Sequence, residues 1–220
     1  FENITRCGIM TTLISPTSTD LQRRQYYDPN LAKYFKPNPV RESTLKALEV
    51  YKFEDDAGRM INWTHGQIEI IDCILQRSSP SDLKRIQIIA STQYGKSLAV
   101  AAGVVIRASL KPEKWAIVAG TIEKARIIME YVIMLSLNND IIREQLTPDT
   151  PLDRLRMKKS ATRLTYKRKG EVRVYSADAK KITETSKSLM GFGSPNVVED
   201  ESALIGDTLQ ATVMRMLGGS

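Results

Sequence analysis

The chain has 220 residues, of which 42% are hydrophobic and 26% charged, and these proportions are ordinary for a globular protein with its own core. It contains no apolar run of the roughly 18 residues that a membrane-spanning helix needs, and its single histidine, His65, nearly excludes a histidine-based triad or a multi-histidine metal site. The net charge of +7 favours a polyanionic partner, either a nucleic acid or a nucleotide.

Residues 1–60 are predicted to form an N-terminal arm and a helical extension. The arm ends in a Ser/Thr/Pro cluster, and a short polar helix is predicted at 19–34. A second helix is predicted at 41–56 because its apolar side chains recur at helical spacing. The residues that define this apolar face are Leu45, Leu48 and Tyr51.

From residue 61 onward, the pattern changes to alternating helices and short apolar strands. The segment "WTHGQIEIIDCILQRS" predicts a helix with Thr64 as its N-cap. An alternating apolar and charged segment at 161–177 predicts a hairpin that turns at Lys169-Gly170. Strands are predicted at 85–90, 114–120 and 196–202, and helices at 96–110, 121–137 and 207–217. This order predicts an α/β fold with a mostly parallel sheet flanked by helices.

The segment "ASTQYGKS" connects the first predicted strand to a helix. It ends in Gly95-Lys96-Ser97, as the phosphate-binding loop G-x-x-x-x-G-K-[ST] does, although Ala90 stands at the first glycine position. Backbone N–H groups of such a loop surround phosphates, and Lys96 is expected to reach the β- and γ-phosphates while Ser97 ligates Mg²⁺. The predicted ATP-binding residues here are Ala90, Ser91, Thr92, Gln93, Tyr94, Gly95, Lys96 and Ser97.

Two adjacent acids stand at the end of the last predicted strand, "NVVEDES". In an ATPase of this kind, Asp200 would orient the Mg²⁺ water shell, and Glu201 would polarise the attacking water as general base. Glu199 is expected to face the other side of the sheet, because side chains alternate along a strand. The alternative is an exposed acidic turn after a strand. A pair of acids, rather than a lone aspartate, favours hydrolysis and motor work over kinase chemistry.

From about Trp63 to its end, the chain resembles the ATPase domain of the large terminase subunit of tailed double-stranded DNA viruses. The phosphate-loop segment and "NVVEDESALI" carry most of the resemblance, together with the glycine-containing approach "SLMGFGSP". "WTHGQIEII" is similar to the segment in which a glutamine reads adenine, and this similarity assigns that role to Gln67; the alternative is a surface glutamine on an amphipathic helix. The resemblance implies a RecA-like P-loop NTPase core of the ASCE class over 61–220.

The resemblance also implies cofactors and partners. The expected ligands are ATP and Mg²⁺, and the expected partners are double-stranded DNA, further copies of the chain in a homo-oligomeric ring, the portal protein and the small terminase subunit. The expected location is the host cell cytoplasm, with no membrane partner. The C-terminal part of the ATPase domain and the nuclease domain of the family are not evident in this chain, so we expect it to be a fragment of an enzyme that is also an endonuclease.

The chain departs from the family in its positive charges. Many terminases have an arginine within the phosphate loop, where Ser91 and Thr92 stand here. Others have an arginine before the glycine of the approach segment, which acts on the ATP of a neighbouring subunit; Met190 occupies that position. Lys187 and Arg126 are the candidates for the trans-acting cation, and the alternative for each is a solvated surface residue.

A strongly basic block surrounds the predicted hairpin. Its charged residues are Arg154, Arg156, Lys158, Lys159, Arg163, Lys167, Arg168, Lys169 and Arg173. The candidate DNA contacts are Lys167, Arg168 and Lys169 at the turn, which could meet phosphates without reading sequence. A solvated hairpin or a contact between subunits is the alternative.

Two other functions fit parts of the pattern. Half of a DEAD-like helicase would also have an upstream glutamine, a G-K-S loop and a DE pair, but its S-A-T motif follows the acidic strand, whereas here it precedes that strand at 160–162. The second is a nucleotide-binding interaction module that does not hydrolyse ATP.

Overall fold

The computed structural model describes residues 40–75, 88, 94–148, 155, 162–177, 182–201 and 205–218. The predicted arm, the helix at 19–34 and the strand at 85–90 therefore lie outside the described residues, apart from Ile88, which is half-buried against the core. Within the described ranges, no helix is both long and apolar enough to cross a membrane.

The described elements alternate between helices and strands, as predicted. The helices are α1 (Glu42–Tyr51), α2 (His65–Leu75), α3 (Lys96–Leu110), α4 (Ile122–Leu137), α5 (Asp140–Arg143), α6 (Ile182–Phe192) and α7 (Asp207–Gly218). The strands are β1 (Lys114–Ala119), β2 (Arg163–Thr165), β3 (Glu171–Ser176) and β4 (Asn196–Asp200).

The four strands form one mixed sheet in the order β2-β3-β1-β4. β1 pairs in parallel with both β3 and β4, and β2 pairs antiparallel with β3. The register places Ala119, the last residue of β1, beside Ser176 of β3 and Asp200 of β4. The carboxyl ends of the three parallel strands therefore meet at one edge of the sheet, and this edge is where the predicted acids lie.

Helices cover both faces of the sheet. Successive side chains of a strand point to opposite faces, and apolar side chains occur on both. Ile117 packs with the core on the side of α2, α3 and α4, whereas its neighbour Val118 packs with Leu189 of α6 and Leu209 of α7. In β4, Val198 contacts the first of these clusters and Val197 the second. The described part of the chain is thus an α/β fold with a four-stranded mixed sheet between helical layers.

Several predicted elements have the predicted bounds. Helix α3 spans 96–110, and Thr121 caps α4 by accepting a hydrogen bond of 3.3 Å from the backbone N–H of Lys124. The hairpin is present as β2 and β3, and Lys169 in its turn has a left-handed φ of 65°. The alternation of the hairpin and the amphipathic pattern of α4 indicated their type, whereas α3 was predicted from its run of small apolar residues.

Two predicted elements differ from the structure in their bounds or exposure, and one helix was not predicted. The helix predicted at 41–56 ends at Tyr51, and Leu45 on its presumed apolar face is 41% exposed. The strand containing Asp200 ends at that residue, and only Asn196 within it is buried, because β4 lies at the edge of the described sheet. Helix α6 was not predicted, since its polar, glycine-containing sequence has few apolar residues to show a helical period.

Gly170 fits a space at the end of α3 that no side chain could enter. A Cβ atom on it would lie 1.8 Å from the carbonyl oxygen of Ala108 and 2.8 Å from that of Lys111. We expect Gly170→Ala to lower the free energy of unfolding by about 3 kcal/mol, because the hairpin turn must move away from the helix. Urea denaturation monitored by circular dichroism measures this change.

Gly191 provides the matched control for this substitution. It lies in α6, and a Cβ on it would have no atom within 4 Å. Gly191→Ala should leave the stability unchanged or raise it by up to about 1 kcal/mol, because alanine favours a helix over glycine. Equal stability of the two variants would show that the turn is not packed against α3 as described.

Candidate active site

The start of helix α3 is described from Tyr94 onward. Gly95 precedes the helix with a left-handed φ of 78°, which glycine adopts at little cost. Lys96 and Ser97 occupy the first turn and are half-buried. The backbone N–H groups of this first turn carry the positive end of the helix dipole. Of the predicted loop, only Tyr94 to Ser97 are described; Ala90, Ser91, Thr92 and Gln93 lie outside the described residues.

Gln67 joins helix α2 to this loop. Its side-chain oxygen accepts a hydrogen bond of 2.9 Å from the backbone N–H of Thr64. The backbone N–H of Gln67 donates to the Thr64 hydroxyl at 3.4 Å. Together these bonds form a capping box at the start of α2. The Gln67 amide nitrogen also donates to the carbonyl oxygen of Tyr94 at 3.0 Å. A Cβ on Gly95 would lie 2.3 Å from that nitrogen and would displace the end of the Gln67 side chain, but it is the left-handed φ that favours glycine here.

These contacts change the interpretation of Gln67. The residue is only 8% exposed, so the alternative of a surface glutamine on an amphipathic helix is wrong. Its contact with Tyr94 places it against the predicted loop. The contacts it makes here are structural, since each end of its amide is bonded to the backbone of the chain.

Asp200 and Lys96 lie close enough to interact electrostatically. Burial of the half-exposed Asp200 carboxyl raises its pKa, while the positive charge of Lys96 acts in the opposite direction. The neighbouring carboxylate of Glu201 raises the pKa further, and Lys124 lowers it. Two carboxylates and two ammonium groups thus share the carboxyl edge of the sheet. A partly buried carboxylate in this position is stabilised by any additional cation that approaches it.

Glu201 has an unusual backbone and an unpredicted partner. Its φ is 53°, in the left-handed region that side chains other than glycine seldom adopt, and such strain is often found at functional sites. Its carboxylate forms an ion pair with Lys124 Nζ, and the two side chains are 44% and 40% exposed, respectively. Lys124 lies in the first turn of α4, immediately after β1, which is the parallel neighbour of β4.

The two candidates for a trans-acting cation do not contact Glu201. Lys187 lies exposed on α6. Arg126 is half-buried on α4, and its Nε is buried without a hydrogen-bond partner. Within the described ranges, Glu201 forms its ion pair with Lys124 instead. A role for Lys187 or Arg126 at the site of another subunit stays a prediction.

The candidate DNA contacts lie at the other end of α3. Lys167, Arg168 and Lys169 are exposed in the turn before β3, at the amino ends of the parallel strands. Arg168 Nη1 donates to the carbonyl oxygen of Leu110 at 3.2 Å, at the C-terminus of α3. Because α3 has 15 residues, this turn is about 22 Å from Lys96.

The residues present fit a magnesium site only in combination with a phosphate ligand. No group of three or more His, Cys, Asp or Glu side chains in the described part of the chain could hold a metal ion on its own. Mg²⁺ bound to nucleotides commonly takes one or two protein ligands, with phosphate oxygens and water completing its shell. The Asp200 carboxylate and the Ser97 hydroxyl are donors of the required kind, each half-buried.

A comparison of the chain with protein-family models, with curated proteins and with solved structures found no match.

Proposed function

We propose that this chain is a P-loop ATPase that hydrolyses ATP with Mg²⁺ and drives double-stranded DNA into a viral procapsid. The observation that carries the ATPase proposal is the electrostatic interaction of Lys96, at the start of α3, with Asp200 at the end of β4. In α/β proteins, ligands bind at the carboxyl ends of parallel strands, and phosphates bind at helix N-termini. Here both features occur at the same edge of the sheet.

The roles of the residues follow from their positions. Lys96 and the N–H groups of the first turn of α3 would bind the phosphates, and Ser97 and Asp200 would hold Mg²⁺, which would supply positive charge to the phosphate oxygens. Glu201 accepts the proton of the attacking water and orients that water toward the γ-phosphate. Gln67, which already contacts Tyr94, is proposed to lie beside the adenine base.

Packaging is the part of the proposal that rests on resemblance to the large terminase subunit. The proposed partners are duplex DNA, copies of this chain in a ring, the portal protein and the small terminase subunit, acting in the host cell cytoplasm. The proposed core is a RecA-like P-loop NTPase of the ASCE class, and the whole protein would also be an endonuclease. Lys187 or Arg126 would act on the ATP of a neighbouring subunit.

Displacement of a third strand from triplex DNA distinguishes this proposal from its rivals. A packaging motor moves along duplex DNA without separating its strands, so ATP should release a triplex-forming oligonucleotide and leave the duplex intact. A helicase would separate the strands of a partial duplex. A module that only binds nucleotide would do neither. Strand separation without triplex displacement would contradict the packaging proposal in favour of the helicase.

The ion pair between Lys124 and Glu201 is expected to restrain the general base. An ion pair between side chains this exposed is worth at most about 1 kcal/mol, which corresponds to about a fivefold change in rate. Lys124→Met should therefore raise ATP turnover without DNA up to about fivefold, measured by phosphate release. Lys124→Arg, which keeps the charge, should behave like the wild type. A fall in turnover in Lys124→Met would show that Lys124 supports hydrolysis directly.

A further inference from the structure

Two arginines lie directly opposite each other on the edge hairpin. Arg163 of β2 is paired with Arg173 of β3 in the antiparallel register. Like charges at opposite positions destabilise a strand pair. Both side chains are on the sheet face that carries α6, because Arg173 lies over the ring of Phe192, 4.5 Å from its centroid. Without a nearby carboxylate, this arrangement would lower the stability of the hairpin.

A buried carboxylate holds both arginines in place. Glu171 is 8% exposed; its Oε1 accepts a hydrogen bond of 2.5 Å from the Nε of Arg173 and forms an ion pair with the Nε of Arg163, also at 2.5 Å. Both contacts with Glu171 are made through Nε. A guanidinium has further N–H donors at its Nη atoms, and these are suited to bidentate binding of phosphate. Arg163 is 58% exposed and Arg173 33% exposed, so an incoming ligand can reach both.

A third cation belongs to the same face. Lys114 of β1 donates to the carbonyl oxygen of Phe192 at 3.0 Å, and its Nζ lies 5.3 Å from the centroid of the Phe192 ring. We call Lys114, Arg163 and Arg173 the arginine face. Together with Glu171, these three cations make a group of four described residues with two positive charges in excess.

We infer that the arginine face binds the phosphate backbone of duplex DNA, and this inference rests on the proposed function as a DNA motor. The turn with Lys167, Arg168 and Lys169 continues the positive surface beyond β2. Arg163 and Lys167 are four residue steps apart, at most about 13 Å along the chain, which is longer than one phosphate group and covers several charges of a duplex. The arginine face makes the first contacts, and the exposed cations of the turn add positive charge beside it.

The test is the affinity of the chain for a short blunt-ended DNA duplex, without nucleotide, measured by fluorescence anisotropy over a series of salt concentrations. Arg163→Gln removes one phosphate contact and leaves Glu171 paired with Arg173. We expect about tenfold weaker binding at 0.1 M salt and a slope of log K against log salt that is smaller by about 1. Arg163→Lys should keep the slope and lose part of the affinity, because lysine lacks the planar guanidinium.

The matched control is Lys46→Gln, which removes one charge from α1 on the other side of the sheet. Lys46 is 68% exposed, and α1 packs through Tyr51 on the opposite core cluster. It should change neither affinity nor slope. A circular dichroism melt of each variant separates lost binding from lost folding. Equal affinities and slopes for Arg163→Gln and Lys46→Gln would overturn the inference, as would a loss confined to Lys167→Gln and Lys169→Gln.

The phosphate group that binds the arginine face could belong to duplex DNA or to a nucleotide. Competition with inorganic phosphate and measurement of ATP binding distinguish these two ligands. If duplex DNA is the ligand, Arg163→Gln should bind ATP as the wild type does, and millimolar phosphate should displace little DNA. Weakened ATP binding with unchanged DNA binding would overturn the inference and assign the face to nucleotides. If the wild type binds duplex DNA through Arg163 but does not hydrolyse ATP, the proposed function fails and the inference stands.

Discussion

Replacing Lys96 with alanine is expected to weaken ATP binding at least tenfold and to lower turnover by a factor of about 10²–10³. Lys96 is the first residue of α3, half-buried, and its charge acts on Asp200. Alanine would remove the group that contacts the β- and γ-phosphates and would leave the partly buried carboxylate without this nearby positive charge. Titration with a fluorescent ATP analogue and a phosphate-release assay measure the two effects.

Lys111→Ala is the control for the Lys96 substitution. Lys111 lies exposed at the opposite end of the same helix. Its replacement changes the net charge by the same amount, because both residues are lysines. ATP binding and turnover should match those of the wild type. If Lys96→Ala binds ATP as tightly as Lys111→Ala, the start of α3 is not the phosphate site.

Replacing Glu201 with glutamine is expected to keep ATP binding within about threefold and to lower turnover by a factor of about 10²–10⁴. Glutamine has the same shape but cannot accept the proton of the attacking water. The Lys124 ion pair is lost as well, but its small energetic worth cannot account for a loss of this size. Parallel measurements of nucleotide binding and phosphate release distinguish the loss of the base from the loss of the site.

Glu199→Gln is the matched control, because it removes the same charge two residues earlier in the chain. Side chains alternate along β4, so Asp200 is on the same face as Val198, toward α3 and α4. Glu199 is on the same face as Val197, toward α6 and α7. The Glu199 variant should hydrolyse ATP like the wild type. Turnover that survives in Glu201→Gln but falls in Glu199→Gln would move the general base to the other face of the sheet.

The order of elements could be predicted because their signals are local. The hairpin shows alternation within its own sequence, α3 is a run of small apolar residues, and Thr121 stands where an N-cap is expected. The exposure of β4 depends on which strands lie beside it, which no local pattern reveals. Helix α6 is stabilised by contacts of Leu189 and Phe192 with the sheet, and its polar sequence does not predict these contacts.

Only the residues of the candidate site that lie in short sequence motifs could be predicted. The Gly-Lys-Ser and Asp-Glu motifs identified Lys96 and Asp200, and the structure brings their charges together. Lys124 was missed because its contact with Glu201 depends on the parallel pairing of β1 with β4, which puts the start of α4 beside the end of β4. Knowledge of the strand order, rather than a longer motif, would have identified it.

The capping box of Gln67 was readable from the sequence but was not recognised. Thr64 and Gln67 have the T-x-x-Q spacing of a capping box, and the same glutamine also bonds to the carbonyl oxygen of Tyr94. That second bond joins residues 27 positions apart in the chain. It could not be inferred without knowing that the start of α2 lies against the loop before α3.

Steady-state ATP turnover by the wild-type chain tests the central claim most directly. It should be measured with Mg²⁺ and duplex DNA over a range of protein concentrations that allows subunits to associate, with Glu201→Gln as the background. We predict phosphate release that requires Mg²⁺ and exceeds the Glu201→Gln background at least a hundredfold. Phosphate release equal to that background at every protein concentration would contradict the assignment of an ATPase site at the carboxyl edge of the sheet.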